Sequence, residues 1–332
     1  MIYHLAEDDV AVIIIGRNEG QRLVTCITSV LGFTKSIVYV DSGSTDDSIK
    51  NAKSYNIDIV KLNLVTPYTA ARARNAGAVY LLNKKPNIKY LQFVDGDCEI
   101  QKGWLVSAKT FLDKNPDYAV ICGRRRERHP EHSIYNTLCD IEWNSPIGDT
   151  TSCGGDALIR ASSFSQINGF NSSLIAGEEP EMCFRLRQKG WRIYRINEEM
   201  TLHDANMTHF SQWWNRAKRA GYAYALSVDL HGKSGERFKV KELRSIIAWG
   251  AFLPTLIFCL SFFHINAISL ISLYLVQIAR LFLKLRKLTI PTRVKFYYAL
   301  LTMVAKFPQF MGITQFMINK KYGNTASLIE YK

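Results

Sequence analysis

Tyr90-Leu91-Gln92-Phe93-Val94-Asp95-Gly96-Asp97 is the stretch that decides the fold. An apolar run of this length bounded by a turn reads as a buried strand, and it ends in two carboxylates separated by one glycine. Gly96 frees the backbone to turn sharply, so that both acids face one ligand, and two acids at a strand tip are a place to hold a divalent cation against a phosphate. Asp-Gly-Asp is also ordinary turn chemistry, so its weight depends on what else gathers at the strand ends.

Working outward, short β-rich runs alternate with helical stretches, the pattern of a Rossmann-like, mostly parallel α/β sheet. Residues 10–15 read as the first strand and 21–31 as the helix after it. Residues 36–40 are the second strand, followed by Asp41-Ser42-Gly43-Ser44-Thr45-Asp46, where Ser44 or Thr45 is placed to cap a helix running to about residue 55. A third strand over 57–62, a helix over 72–82 and the strand 90–94 complete the series. Ligands of open parallel sheets bind beyond the carboxyl ends of the strands, and Asn18, Glu19, Asp41 and Asp95 all lie there.

The 332 residues, 47% of them hydrophobic, exclude a mainly disordered chain and leave room for one large domain with an appendage. Seven cysteines without a C-x-x-C pair favour reduced thiols over disulfides or structural zinc. The apolar run 10–15 is too short for a secretory leader and follows acids, so the catalytic part is expected in the cytoplasm. A net charge of +13 invites a nucleic-acid reading, but its placement argues against one. From residue 241 onward there are 12 Lys and Arg against 2 Asp and Glu, which leaves only +3 for the first 240 residues.

That basic tail is also the most apolar part of the chain, with no charged residue from Ser245 through Ala279. One helix of that length would be about 52 Å long against a hydrocarbon core of about 30 Å, so a break is expected at His264-Ile265-Asn266. Lys241 and Arg244 flank one end and Arg280, Lys284, Arg286 and Lys287 the other, which puts both ends of a helical hairpin in the cytoplasm. Pro254 is expected to kink the first segment, and a soluble buried hairpin is the competing reading. A third segment over 294–318 reads as interfacial. The expected division is a domain over 1–235 and a hydrophobic, basic helical membrane-associating region over 236–332, holding the protein at the cytoplasmic face of the cell membrane through residues 241–332.

Several motifs occur in a recognisable order: Ile13 to Glu19 (IIIGRNE), Val40 to Asp46 (VDSGSTD), Ala71 to Gly77 (ARARNAG), Asp95-Gly96-Asp97, Gly154-Gly155-Asp156-Ala157, Gly169-Phe170, and Gly177 to Leu186 (GEEPEMCFRL). This series, over roughly residues 8–230, closely resembles that of the family 2 glycosyltransferases, which have the GT-A fold. The resemblance implies inverting transfer of a sugar from a nucleotide-activated donor of UDP, GDP or dTDP type. Arg17, Glu19, Asp41, Arg74 and Asp95 match donor-binding positions, although the family more often has an aromatic in place of Arg17. Asp41 could accept from a nucleobase N–H or simply close an Asx turn, and Arg74 could clamp a diphosphate through its guanidinium fork. Asp97 is the better direct ligand for Mn²⁺ or Mg²⁺, with Asp95 touching ribose or the ion through water and His203 in the place of a third ligand.

Glu179 is the candidate base, since an inverting displacement needs a carboxylate opposite the leaving diphosphate; Glu178 competes with it, because the family usually has Glu-Asp here. Both acids would also complement the dipole of a helix over 178–188. Asp156, Trp213 and Trp214 match the acceptor side, where the Trp pair reads as helix packing or an acceptor platform. The run Arg124 to Arg128 could meet a phosphate on a lipid-linked acceptor or stand as a solvated basic loop. Expected partners are thus a nucleotide sugar, a glycan or lipid-linked acceptor and a membrane, with no nucleic acid. A nucleotidyltransferase and a catalytically inactive membrane scaffold are the alternatives.

Overall fold

The computed structural model describes residues 9–63, 68–263 and 265–323. Its first half follows the alternation read from the sequence: β1 (Val10–Gly16), α1 (Gln21–Val30), β2 (Ile37–Asp41), α2 (Ser48–Ser54), β3 (Asp58–Lys61), α3 (Ala70–Lys84) and β4 (Tyr90–Asp95). Then come β5 (Cys98–Ile100), α4 (Trp104–Lys114), β6 (Tyr118–Glu127), α5 (Ile134–Glu142), β7 (Gly148–Asp149), β8 (Ala157–Arg160), α6 (Ala161–Gln166), α7 (Glu178–Gln188) and β9 (Arg192–His203). The nine strands form one sheet in the order β3-β2-β1-β4-β8-β6-β9-β5, with β7 also paired to β9. Neighbours from β3 to β4 run parallel, whereas β8 pairs antiparallel with β4 and β6, and β5 antiparallel with β9, so the sheet is mixed beyond β4.

β-Branched side chains explain the centre of this sheet. Val10 to Ile15 are all buried, on both faces of the strand, as a parallel strand covered on each side requires. Each such side chain contributes about 1.5–3 kcal/mol on burial. Helix α3 lies unusually close above them, because Gly77 has no side chain: a Cβ there would stand 2.5 Å from Ile13 Cγ2 and 2.9 Å from Val40 Cγ2.

The described residues fall into two compact units by their contacts, one of residues up to 129 with 139–205, the other of 130–138 with residues from 206 onward. This division precedes the expected boundary at 235, because α8 (Phe210–His231) packs on a helix of the tail instead of on the sheet. The second unit continues with α9 (Val240–Ile247), a π-helical turn over Ala248–Phe252, α10 (Leu253–Ser261), a 3₁₀ stretch over Ile265–Ile271, α11 (Ser272–Lys284), α12 (Thr292–Val304) and α13 (Lys306–Tyr322). Pro254, which lacks the N–H of a regular turn, begins α10 just after the π-turn that absorbs the irregularity.

Two helical stretches, Val240–Ser261 and Ile268–Lys287, are long and apolar enough to cross a membrane by length and composition. Between them His264 lies outside the described residues. Phe252, Phe258, Phe262 and Phe263 are each more than 60% exposed. The segment expected to be interfacial is two helices that meet at Ala305, and α13 lies backbone to backbone on α8: a Cβ at Gly312 would stand 2.0 Å from the Lys218 carbonyl oxygen, and one at Gly221 would collide with Gln309.

Candidate active site

Sheet register gathers the site. Gly16 at the end of β1 pairs with Asp41 of β2, and Ile15 pairs with Asp95 of β4, so the strand-end residues stand in one row. Asp41 is buried, and its carboxylate is engaged locally: Oδ2 accepts from the backbone N–H of Gly43 and of Ser44, both at 3.0 Å, and Oδ1 accepts from Tyr39 Oη at 3.1 Å. The Asx turn is therefore present. Ser44 and Thr45 do not cap α2; they fasten the loop to Asn18, whose N–H donates to Ser44 Oγ and whose Oδ1 accepts from the Thr45 N–H, while Asp47 stands at the N-cap. Glu19 forms an ion pair with Arg22 at 2.8 Å. Exposed Arg17 lies over the ring of Tyr68, an aromatic brought from a distant loop to the position where the sequence has none. Gly43, at φ +83°, makes room for the Tyr68 hydroxyl, which is buried without a hydrogen-bond partner among the described residues.

Arg74 is buried on α3 and divides its fork, with Nη2 donating to Asp95 Oδ1 and Nη1 to Glu178 Oε1, each at 2.7 Å. Burial works against its charge, but the two carboxylates outweigh that penalty and raise its pKa further. Both ends of the fork expected to grip a diphosphate are thus spent on protein acids. Asp156, expected on the acceptor side, is fully buried; its Oδ1 accepts the Asp95 N–H at 3.1 Å and its Oδ2 accepts from Thr201 Oγ1 at 2.8 Å. With both oxygens engaged inside the protein, this carboxylate braces the end of β4. Gly155 leaves room for this network, since a Cβ there would stand 3.1 Å from both Arg74 Nη2 and Asp95 Oδ2.

Asp95 and Asp97 turn to different partners. Asp95 lies toward Arg74 and Arg125, whereas Asp97 Oδ2 stands 3.4 Å from His203 Nε2. Behind the imidazole, His203 Nδ1 is 3.5 Å from Glu127 Oε2, and Trp143 meets the ring edge to face at 4.8 Å. Register accounts for this convergence, because His203 ends β9 opposite Cys98 of β5 and Glu127 of β6. Two ligand atoms of an octahedral cation at about 2.1 Å lie about 3 Å apart, so Asp97 and His203 are spaced to share one. A buried carboxylate on the other ring nitrogen is the usual support of a metal-binding histidine. Burial pushes the Cys98 thiol well up, which keeps it neutral and unsuited to a hard ion. A cavity of about 200 Å³ opens beside the pair, lined by Asp97, Arg22, Thr25, Arg128 and Asp204 among others.

Glu179 starts α7 after Gly177, which is left-handed at φ +77°. Its Oε1 accepts both the Cys153 backbone N–H and the Cys183 thiol, the latter at 3.1 Å, while Oε2 accepts from none of the described residues. Burial raises the carboxyl pKa, against the two donors, which favour the charged form. Glu178 is held by Arg74, so of the two acids Glu179 is the one without a cationic partner.

The Trp pair stands in the second unit, where Trp213 is buried and stacks on Tyr135 at 6.1 Å while both tryptophans pack on Phe210. Helix packing is thus their observed role. The arginines of 124–128 are no loose basic loop: Arg124 binds Asp140, Arg126 binds Glu199, Arg128 binds Glu99, and Arg125 lies 4.9 Å over the Trp143 ring. Within the run 124–128 the sequence did not reveal that Glu127 backs His203 or that Arg125 lies over Trp143, nor did it pair Cys153 with Cys183; Glu127 carried a signal, as the acid closing a strand whose neighbour ends in His203.

Residues 11–164 match the family model described as Glycosyl transferase family 2. Over 238 residues, 66% of this chain, the sequence is 27% identical to a pre-mycofactocin glycosyltransferase of Mycobacterium tuberculosis, and the aligned part is 48% of that protein. The chain thus spans about half the length of this relative. An O-antigen chain rhamnosyltransferase of Salmonella typhimurium is 21% identical over 230 residues, 62% of this chain and 70% of the relative. Among solved structures, a mannosyltransferase of Pyrobaculum calidifontis in complex with GDP-Man and Mn²⁺ superposes with a TM-score of 0.56 at 15% identity, covering 95% of this chain and 86% of its own. The GT-A architecture, the ordered motifs and these relatives agree: residues 11–164 match glycosyl transferase family 2, and the relatives are glycosyltransferases.

Proposed function

We propose that this chain moves a sugar, with inversion, from a nucleoside diphosphate donor of UDP, GDP or dTDP type to a hydroxyl of a glycan or lipid-linked acceptor at the cytoplasmic membrane face. The observation that carries the reading is the buried guanidinium of Arg74, which ties the strand-end acid Asp95 to Glu178 and so fixes where Glu179 stands relative to the Asp95-Gly96-Asp97 loop. Glu179 takes the proton of the attacking hydroxyl on Oε2, while Oε1 stays fixed by its two donors. Burial raises the pKa of the Glu179 carboxyl, while Glu178 is taken up by its ion pair with Arg74. Asp97 and His203 would hold a divalent cation, Mn²⁺ or Mg²⁺, which when bound neutralises charge on the departing diphosphate. Glu127 orients the imidazole for that task. Arg17 and Tyr68 with the Asp41 turn form the wall for the nucleobase. The apolar stretches over 240–261 and 268–287 anchor the protein beside its acceptor.

Binding of UDP, GDP, dTDP and CMP to the detergent-solubilised chain, with and without Mn²⁺, tests the reading. Metal-dependent preference for one nucleotide, lost in Asp97→Asn, is the expected result. Failure of every nucleotide to bind overturns it in favour of an inactive scaffold. Glu179→Gln is expected to bind the preferred nucleotide normally and to lose transfer.

A further inference from the structure

Two cysteines surround the carboxylate assigned above as the base, and they come from different places in the chain. Cys183 is one turn along α7 from Glu179, and Cys153 lies in the loop before β8. Their sulfurs are 3.6 Å apart, both side chains are buried, and the Cys183 sulfur is 3.1 Å from Glu179 Oε1. Cys153 also supplies its backbone N–H to that oxygen. Among the groups that act on this cluster, Glu178 on the same helix raises the Glu179 carboxyl, Cys122 on β6 feels its charge, Arg187 acts on Cys183 and Arg195 on Cys122.

We propose that Cys153 and Cys183 form a thiol relay that positions the catalytic base, Cys183 S–H donating to Glu179 Oε1 and Cys153 S–H turned to the Cys183 sulfur at 3.6 Å in preference to the Gly154 carbonyl oxygen at 3.5 Å, so that Oε2 alone is presented to the acceptor. The inference rests on the reading of Glu179 as base. Burial pushes the Cys183 thiol up to about 11, so it keeps its proton and remains a donor throughout the working range. A thiol serves here because its hydrogen bond is weak: it fixes the carboxylate while lowering its basicity less than a hydroxyl or an ammonium would. Both cysteines are positioning residues and touch no substrate.

The test is an infrared pH titration of the full chain in detergent, with the Glu179 carboxyl band isolated as the difference between wild type and Glu179→Gln. Cys183→Ala removes a donor to the charged form and is expected to raise the midpoint by about half to one pH unit. Cys183→Ser restores a donor and is expected to return the midpoint to the wild-type value or below. Cys153→Ala, which keeps the backbone N–H, is expected to give a smaller rise, and it decides the matter alone if Cys183→Ala does not fold. Equal shifts with Ala and Ser, or no shift in the Cys153 variant, would mean that the sulfurs only fill space, and the relay is overturned. Nucleotide release by Glu179→Gln from UDP-glucose, GDP-mannose and dTDP-rhamnose separates the two claims. Wild-type release in that variant removes the base assignment whatever the titration shows, whereas lost release with unmoved midpoints removes only the relay.

Discussion

Replacing Gly77 by alanine tests how tightly the site depends on the sheet beneath it. A methyl group there would lie 2.5 Å from Ile13 Cγ2, 2.9 Å from Val40 Cγ2 and 3.3 Å from Val38 Cγ1, where ordinary carbon contacts begin at about 3.5 Å. The three side chains are fully buried and stiff at χ1, so they cannot turn aside and α3 must retreat by about 1 Å. Overpacking of this kind costs about 1–3 kcal/mol, offset by about 1 kcal/mol because alanine is the better helix former. The retreat also moves Arg74, one turn upstream, whose two hydrogen bonds start at 2.7 Å and would stretch beyond hydrogen-bond length. A net loss of about 1–3 kcal/mol follows, equivalent to a melting temperature lower by about 3–10 °C for a domain of this size. Circular dichroism melts in detergent at one scan rate would measure it, with Gly32→Ala as control, since a Cβ at Gly32 meets nothing within 4 Å. Nucleotide affinity should fall for Gly77→Ala and hold for Gly32→Ala. If Gly77→Ala melts at or above the wild-type temperature, the close helix–sheet approach is not the constraint described, and the placement of Arg74 by α3 falls with it.

Other expectations concern the charges and the apolar surface. Glu127→Gln should weaken Mn²⁺ binding about 10–100-fold, measured by electron paramagnetic resonance, through loss of the carboxylate behind His203; unchanged affinity would separate His203 from the metal. Burial raises the Glu179 carboxyl, so its charge destabilises the fold only as pH rises from the unfolded carboxyl range through the folded value. Glu179→Gln should therefore gain thermal stability relative to wild type on going from about pH 4 to pH 8, and a constant difference would contradict the burial argument. Replacing Phe252, Phe258, Phe262 and Phe263 with serine should move the protein from the membrane pellet toward the supernatant; continued pelleting would refute anchoring through these side chains. Cys259 is the exposed one of the seven cysteines, so in intact membranes a membrane-impermeant maleimide should label the chain only after denaturation.

The parallel half of the sheet was legible because its signal is local. An unbroken apolar run rich in β-branched residues, such as Val10 to Ile15, has few alternatives to a buried strand, and the helix over 178–188 follows from a glycine lead-in and an acidic first turn. The row of strand-end acids was legible too, since parallel topology alone places Asp41 and Asp95 side by side. What the sequence could not convey is where each carboxylate spends its hydrogen bonds. Asp156 has the composition of a ligand site and the surroundings of a brace, and only the positions of Thr201 and the Asp95 backbone distinguish them. Ser44 and Thr45 had the right residue types for a cap, but Asn18 captured the loop first. Trp213 went to helix packing because Tyr135, nearly eighty residues earlier, stacks on it. The packing of α8 on α13 was hidden for a similar reason, as glycine contacts between these helices leave no periodic apolar signal.

Those glycine contacts also bear on the order of assembly during synthesis. Gly221 leaves the ribosome long before Gly312, yet the groove on α8 is complete only when α13 arrives to fill it. The segment 130–138, which belongs by its contacts with the later residues, must wait as well. The strands of the sheet have by then been made, so the first unit is free to close while the helical unit still waits for α13. A ribosome stalled inside α12 would therefore hold a finished sheet beside an unfinished bundle, with an amphipathic α8 exposed to chaperones and to the bilayer.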